Sequence, residues 1–156
     1  MPVVARLIFS LVNFAARKGR AAEGPASTAA AKQQARRTGI RGETYAYWYL
    51  RRQGYILIAR NFTAPGIKGE IDLIGYDGPI LAFVEVKTRT GEREEFGKPE
   101  DAVTPEKRRT LARMARQFLA ERRIREAKCR FDVLAIESRP GQPPVVRLHK
   151  GAFADA

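Results

Sequence analysis

The sequence predicts an α/β fold in which helices pack on a central mixed β-sheet. Runs rich in β-branched and aromatic residues are separated by short turn signals, and two segments carry the apolar spacing of a helix. These segments follow one another in the order αβββαββ, which is typical of helices layered on a sheet. At 156 residues, with 44% apolar residues, the chain is long enough for one domain with a substantial core.

The first helix is predicted over about residues 34–53. The residues that share one helical face at i, i+3, i+4 and i+7 are Glu43, Ala46, Tyr47 and Leu50. Gly54 stands where a helix C-cap is expected. A carboxylate buried on this apolar face would be costly unless it were paired or bound to a metal, so Glu43 is a candidate ligand. A surface glutamate is the simpler alternative.

Three strands follow, in the runs "YILIARNF", "EIDLIGY" and "ILAFVEVKTRT". The stretches "TAPGIKG" and "DGP" between them predict turns. A second helix begins after Thr104 and Pro105, which suit the N-cap and first helical positions. The runs "RFDVLAIES" and "VVRLHKGAF", joined by the turn "GQPP", predict a fourth and a fifth strand. The folded domain is therefore expected over residues 34–153.

Residues 1–33 differ in composition from the rest of the chain. An apolar run from Leu7 to Ala16 is about half the length that spans a bilayer, so no integral membrane span is expected. An Ala-rich linker follows, and the whole segment is predicted to be an amphipathic or flexible tail, with attachment to a membrane surface or a protein as a weaker hypothesis. The single Cys129 and the single His149 exclude an internal disulfide and a Cys/His zinc site, and this composition favours a cytoplasmic protein.

The net charge of +12 makes a polyanion the first partner to expect, and nucleic acid above all, ahead of an anionic membrane surface or an acidic protein. The basic residues near the predicted centre that could follow a phosphate backbone are Arg36, Arg37, Arg41, Lys68, Arg89 and Lys107. Each of them alone is more often mere surface charge, and for Lys107 a solvent-facing position is the simpler interpretation. The aromatic run from Tyr45 to Tyr49 could stack on bases, although helical spacing places at least half of it in the core.

Charged residues interrupt the second and third strands where a sheet would bury hydrocarbon. Alternation along a strand sets Glu85 and Lys87 on one face, with their Cα atoms about 6 to 7 Å apart. In the second strand the same alternation groups Asp72 with Glu70 and Ile74, and predicts that Ile71 and Leu73 point to the opposite face.

The hairpin register decides what these charges can do. If the register brings Asp72 beside Glu85, two carboxylates can share Mg²⁺ or Mn²⁺, and Lys87 can assist a water that attacks a phosphodiester. Glu70 is either a supporting or alternative ligand or an exposed charge at the strand edge. For Asp72, Glu85 and Lys87 the simpler alternative is a solvated ion pair across the two strands.

Four ordered motifs carry a family resemblance: "GETYAYWYLRRQGYILIARNF", "KGEIDLI", "FVEVKTRT" and "RFDVLAI". Over about residues 36–153 the chain resembles the YraN family of small bacterial proteins, which is similar in fold to archaeal Holliday-junction resolvases and the restriction-endonuclease-like superfamily. In that superfamily an acidic residue of the first helix, an aspartate of the second core strand and a Glu-x-Lys of the next strand form a metal-dependent nuclease centre. The positions that match are Glu43, Asp72, Glu85 and Lys87.

The resemblance implies a nuclease that hydrolyses DNA, including branched or structured DNA of repair or recombination. Asp72 and Glu85 would hold Mg²⁺ or Mn²⁺, Glu43 would complete the site, and Lys87 would assist the attacking water. Ile71 departs from the pattern of many endonucleases, which have proline before the aspartate. Related resolvases act as dimers, so a homodimer is a further expectation. The alternative function is a noncatalytic scaffold that keeps the fold and binds nucleic acid through its basic surface.

Overall fold

The computed structural model describes residues 41–90, 103–139 and 141–154. Helix α1 covers residues 41–52 of the described chain. The other elements are β1 (Ile56–Ala64), β2 (Ile67–Asp77), β3 (Ile80–Thr90), α2 (Pro105–Glu121), β4 (Lys128–Ser138) and β5 (Val145–Phe153). The predicted order αβββαββ is confirmed for these residues. The predicted tail, the first predicted helical residues and the candidate residues Arg36 and Arg37 lie outside the described part.

The five strands form one mixed sheet in the order β1-β2-β3-β4-β5. The pairs β1–β2, β2–β3 and β4–β5 are antiparallel, whereas β3 and β4 are parallel. A parallel pair cannot be joined by a tight hairpin, and α2 lies in the connection between these two strands. The sheet therefore carries its helical crossover between its central and fourth strands.

Each face of the sheet supports its own apolar core. On one face Phe83 and its neighbours pack against α2, where Phe118 contacts both Phe62 and Phe83 with edge-to-face rings. On the other face Val84 packs with Leu50 of α1. Alternation along β3 separates the two sets, and we call them the α2-side core and the α1-side core. The two helices thus cover opposite faces, as the predicted α/β layering requires.

The first hairpin is tighter than the sequence predicts. The predicted turn over residues 63–69 is wrong in length, because β1 continues to Ala64 and β2 begins at Ile67. Only Pro65 and Gly66 connect the two strands, and Gly66 takes a φ of 72° that a residue without Cβ adopts freely. Cross-strand pairing therefore extends almost to the tip and brings the charged part of β2 into the sheet.

The strands β1 and β2 change face together at Asn61 and Asp72. Asn61 has a φ of 47°, in the left-handed region that asparagine tolerates better than most residues. The paired residues on either side are Arg60 with Leu73 and Phe62 with Ile71. Ile71 packs in the α2-side core and Leu73 in the α1-side core, so the prediction that they share a face is wrong. Asp72 consequently lies at a break in the regular alternation of β2.

A second buried charge, Asp132 of β4, is held by a complete set of donors. Tyr55 donates its hydroxyl to Asp132 at 3.0 Å, Arg130 donates from Nε at 2.7 Å, and the amide of Gly151 donates at 2.9 Å. Asp77 is paired with Lys150 at 2.7 Å and with Arg130 at 2.6 Å. These two cations, Lys150 more than Arg130, hold the pKa of Asp77 below its usual range. This network ties β4 to the β2–β3 turn and to β5.

Burial and the adjacent Asp132 raise the pKa of Tyr55, so its hydroxyl remains a hydrogen-bond donor at neutral pH. Every polar group of the network around Asp132 thus has a partner, which is the pattern of a structural network.

Among the described residues, no helix is both long and apolar enough to cross a membrane.

Candidate functional site

The candidate site begins where β2 and β3 stop pairing regularly. Their antiparallel pairing runs from Asp77 and Ile80 to Leu73 and Val84. Just beyond the last of these pairs, the amide of Val86 donates a hydrogen bond of 2.6 Å to Asp72 Oδ2. A side-chain carboxylate thus satisfies a backbone donor that the sheet would otherwise pair with a carbonyl group. This bond holds the Asp72 carboxyl in the seam between the two strands.

Asp72 is buried beside other carboxylates, and its pKa is raised to about 7. Loss of solvation is the main cause, the negative charge of Glu85 is the next, and Glu43 adds to it. The Val86 amide and the charge of Lys107 act in the opposite direction and lower the pKa. A cation in this place would relieve the repulsion that otherwise favours a proton on Asp72.

Three carboxylates from two elements meet at this position. One oxygen each of Glu43, Glu70 and Asp72 lies within 4.8 Å of the others. Oxygen atoms are the ligands that Mg²⁺ and Mn²⁺ prefer, so this triad could hold such an ion with small adjustments of its side chains. The structure brings together Glu43 and Asp72, which the sequence had grouped, and it places Glu70 with them.

The remaining predicted ligand, Glu85, borders this triad and faces two lysines. Its Oε1 lies 3.0 Å from Nζ of Lys87, and its Oε2 lies 3.5 Å from Nζ of Lys107. Oε2 is buried, and no group in the described part of the chain donates a hydrogen bond to it. A buried carboxylate oxygen without a donor is uncommon, and a bound cation or water would satisfy it. The donor set therefore fits a divalent cation.

Lys107 lies at the edge of the candidate site. Its side chain is partly exposed, as the simpler interpretation indicated, and its ammonium group also lies 3.5 Å from Glu85 Oε2 and from the carbonyl oxygen of Glu70. This contact comes from tertiary packing, because α2 lies against β2 and its first turn thereby carries Lys107 to the carboxylates. Two lysines from two different elements thus flank one buried glutamate.

Asn61 is a site residue that the sequence analysis did not identify. Its Nδ2 donates a hydrogen bond of 2.8 Å to Glu43 Oε2, which links β1 to α1. The left-handed backbone of Asn61 lies between the pairs that flank Asp72, so the residue sits next to the triad. A polar residue tolerant of positive φ inside an apolar strand was the available signal, and its partner could not be deduced from spacing.

The other predicted basic residues lie close in sequence to the carboxylates. Arg41, Lys68 and Arg89 are all exposed. Arg41 precedes Glu43 by two residues on α1, and Lys68 precedes Glu70 by two residues on β2. Arg89 follows Lys87 by two residues on β3, on the face that also carries Glu85. Their contact with a phosphate backbone stays a prediction.

Comparison with known proteins shows what kind of chain carries this arrangement. Residues 42–136 match the model of a family described as "Uncharacterised protein family UPF0102". The chain belongs to this family. The matched residues include the triad, Glu85 and both lysines of the site. The predicted resemblance to the YraN family is confirmed, because YraN and UPF0102 denote the same family.

Relatives within UPF0102 share most of their length with this chain. A UPF0102 protein of Symbiobacterium thermophilum is 47% identical over 118 residues, which cover 76% of this chain and 97% of the relative. A UPF0102 protein of Koribacter versatilis is 42% identical over 118 residues, covering 75% of this chain and 79% of the relative. A third, from Geobacter metallireducens, is 42% identical over 115 residues, or 74% and 90% of the two chains.

Proposed function

We propose that this protein is a metal-dependent nuclease that hydrolyses phosphodiester bonds in DNA. The observation that carries the proposal is the triad of Glu43, Glu70 and Asp72, with the buried Glu85 and its two lysines beside it. Carboxylates concentrated in this way repel one another, and a divalent cation both relieves the repulsion and serves phosphate chemistry. The restriction-endonuclease-like assignment of the fold is part of the proposal, and the layered mixed sheet is consistent with it.

The proposed roles follow from which side chains can reach a common ion. Asp72, Glu43 and Glu70 would hold the ion, and Oε2 of Glu85, which lies 3.5 Å from Nζ of Lys107, would join them if that lysine moved aside. When bound, a divalent cation supplies positive charge that polarises the phosphate and acidifies water. The burial of Asp72 and Glu85 lowers the local dielectric response and strengthens every charge interaction at the reacting phosphate.

The lysines act on the substrate. Lys87, held 3.0 Å from Glu85, places an ammonium group where it orients the attacking water and stabilises the charge that grows on the phosphate oxygens. Lys107 presents a second ammonium group from α2. A duplex or branched DNA lying across the site would meet further positive charge at the exposed Arg41, Lys68 and Arg89.

Cleavage of labelled DNA by the purified full chain tests this proposal. Four-way junctions, flaps, single strands and plain duplex are incubated with Mg²⁺, Mn²⁺ or EDTA. Asp72→Asn keeps the shape of the side chain and an oxygen for the Val86 amide but removes a ligand charge. Lys87→Met removes the ammonium group. Glu126→Gln, at an exposed position outside the site, is the matched control.

We expect metal-dependent cutting that falls at least about a hundredfold in Asp72→Asn and in Lys87→Met, while DNA binding survives. The control should cut as the wild type does. Salt-sensitive binding without cutting on any substrate would refute the nuclease proposal. That result would favour the noncatalytic scaffold, for which the net charge of +12 is the supporting observation.

A further inference from the structure

Half-exposed aromatic rings, which pack on the α1-side core, and exposed guanidinium groups lie on α1 and β1 beside the acidic site. They belong to Tyr47, Trp48, Arg51 and Arg60, and we call them the aromatic–arginine surface. The rings of Tyr47 and Trp48 meet edge to face with centroids 5.1 Å apart. Arg60 lies 4.9 Å from the centre of the Tyr47 ring, and Arg51 lies 5.8 Å from the centres of both rings.

This surface is continuous with the carboxylate triad. Glu43 and Tyr47 are four residues apart on α1, which sets them one turn apart on the same side of the helix, with Cα atoms separated by about 6 Å along the axis. Their partners on β1 are consecutive: Asn61 bonds Glu43 at 2.8 Å, and Arg60 lies over Tyr47. A nucleic-acid strand that runs from the triad along the boundary between α1 and β1 therefore reaches the aromatic rings within one helical turn.

The arginines of the surface keep their charge available for a ligand. Both Arg51 and Arg60 are exposed, and within the described residues neither forms an ion pair with a carboxylate. Their contacts are with aromatic rings, apart from the hydrogen bond that Arg51 donates to the hydroxyl of Tyr47 at 3.2 Å. A guanidinium group stacked on a ring still presents donors at its edge, and these suit phosphate oxygens.

We propose that the aromatic–arginine surface binds an unpaired stretch of nucleic acid that leads away from the cleaved phosphate. Aromatic faces beside cations are the combination that binds single strands, because bases stack on the rings while the cations follow the backbone. Bases inside a duplex have both faces covered by their neighbours and cannot stack in this way. The inference deepens the proposed function and selects substrates that have a single-stranded arm at the cut.

Trp48 is the only tryptophan of the chain, so its fluorescence reports directly on this surface. We would titrate the full-length Asp72→Asn variant, in EDTA, with oligothymidylate, with oligouridylate of equal length and with a blunt duplex. Binding to the surface predicts quenching by the single strands that weakens as salt rises, and little quenching by the duplex. Tighter binding of one of the two single strands identifies whether the arm is DNA or RNA, and either supports the proposal.

Substitutions distinguish this surface from the general positive charge of the protein. Arg60→Ala and Tyr47→Ala should each weaken single-strand binding by at least about fivefold, because each removes a stacking contact. Arg60→Lys keeps the charge and should recover only part of the affinity. Arg113→Ala removes one exposed guanidinium group from α2 and should change the affinity less than twofold. Thermal melting of each variant verifies that it remains folded.

Equal quenching by duplex and single strand, or an Arg113→Ala defect as large as that of Arg60→Ala, would refute the inference. The result does not depend on cleavage, because the titration uses no metal and an inactive variant. If the protein binds single strands at Trp48 but never cuts, the proposed function fails and the surface assignment stands. If the protein cuts but Trp48 reports no single-strand binding, the nuclease stands and the surface assignment fails.

Discussion

The hydrogen bond from Asn61 to Glu43 gives the sharpest test of how the site is built. We predict that losing the Asn61 amide lowers the affinity for Mn²⁺ or Mg²⁺ by about tenfold or more, which is the usual effect of removing a group that orients a metal ligand. The physical reason is geometric, because the bond of 2.8 Å fixes a carboxylate that would otherwise choose among several rotamers.

Two substitutions separate the side chain from the backbone. Asn61→Gly removes the amide but adopts the φ of 47° without strain, whereas Asn61→Ala removes the amide and also pays about 1 to 2 kcal/mol for the left-handed conformation. Part of this difference is offset by the greater freedom of glycine in the unfolded chain, about 0.5 to 1 kcal/mol. We therefore expect Asn61→Ala to be less stable than Asn61→Gly by about 1 kcal/mol, and the two to bind metal equally weakly.

Isothermal titration with Mn²⁺ measures the affinities, and urea unfolding in EDTA measures the free energies of unfolding. Thr63→Ala, at an exposed position of the same strand, is the matched control and should leave metal affinity unchanged. Wild-type affinity in Asn61→Gly would show that the bond does not position Glu43. A metal affinity that falls only in Asn61→Ala would assign the effect to the backbone and refute the positioning role.

Three further predictions concern the charged groups of the two networks. The raised pKa of Asp72 means that the folded chain holds this proton more tightly than the unfolded chain, so its contribution to stability is complete below about pH 4 and is lost as the pH rises towards about 7. Urea unfolding of the metal-free protein should show this decline in the free energy of unfolding with pH, and Asp72→Asn should remove the part that comes from Asp72. An unchanged pH dependence in the variant would show that Asp72 is not the titrating group. Arg130→Met leaves the buried Asp132 without its ion pair and should cost about 3 to 5 kcal/mol in urea unfolding, whereas a loss below about 1 kcal/mol would show that the network is not structural. Lys107→Met removes a cation that competes for Glu85 and should tighten Mn²⁺ binding in calorimetry while slowing cleavage; weaker binding would show that this lysine supports the ion.

The order of elements and the outline of the site were predictable because they depend on local patterns. Alternation and turn residues defined β3 and β5, and the Thr104 and Pro105 pair placed the start of α2, where Thr104 accepts a hydrogen bond from the Lys107 amide. The motif resemblance indicated the family, which the comparisons confirmed. Composition predicted a polyanionic partner, and that prediction remains to be tested. Each of these depends on residues that are near neighbours in the chain or on a sum over the whole chain.

The tertiary structure decided which charges meet. Spacing could not reveal that β1 and β2 change face at Asn61 and Asp72, because a left-handed residue interrupts the alternation on which the prediction depended. Spacing also could not predict the contact between Lys107 and Glu85, since that contact follows from how α2 packs over the sheet. The sequence by itself determined which charged residues are candidates for the site. The packing of the helices on the sheet determined the distances between them, because electrostatic energy depends on separation in space and not along the chain.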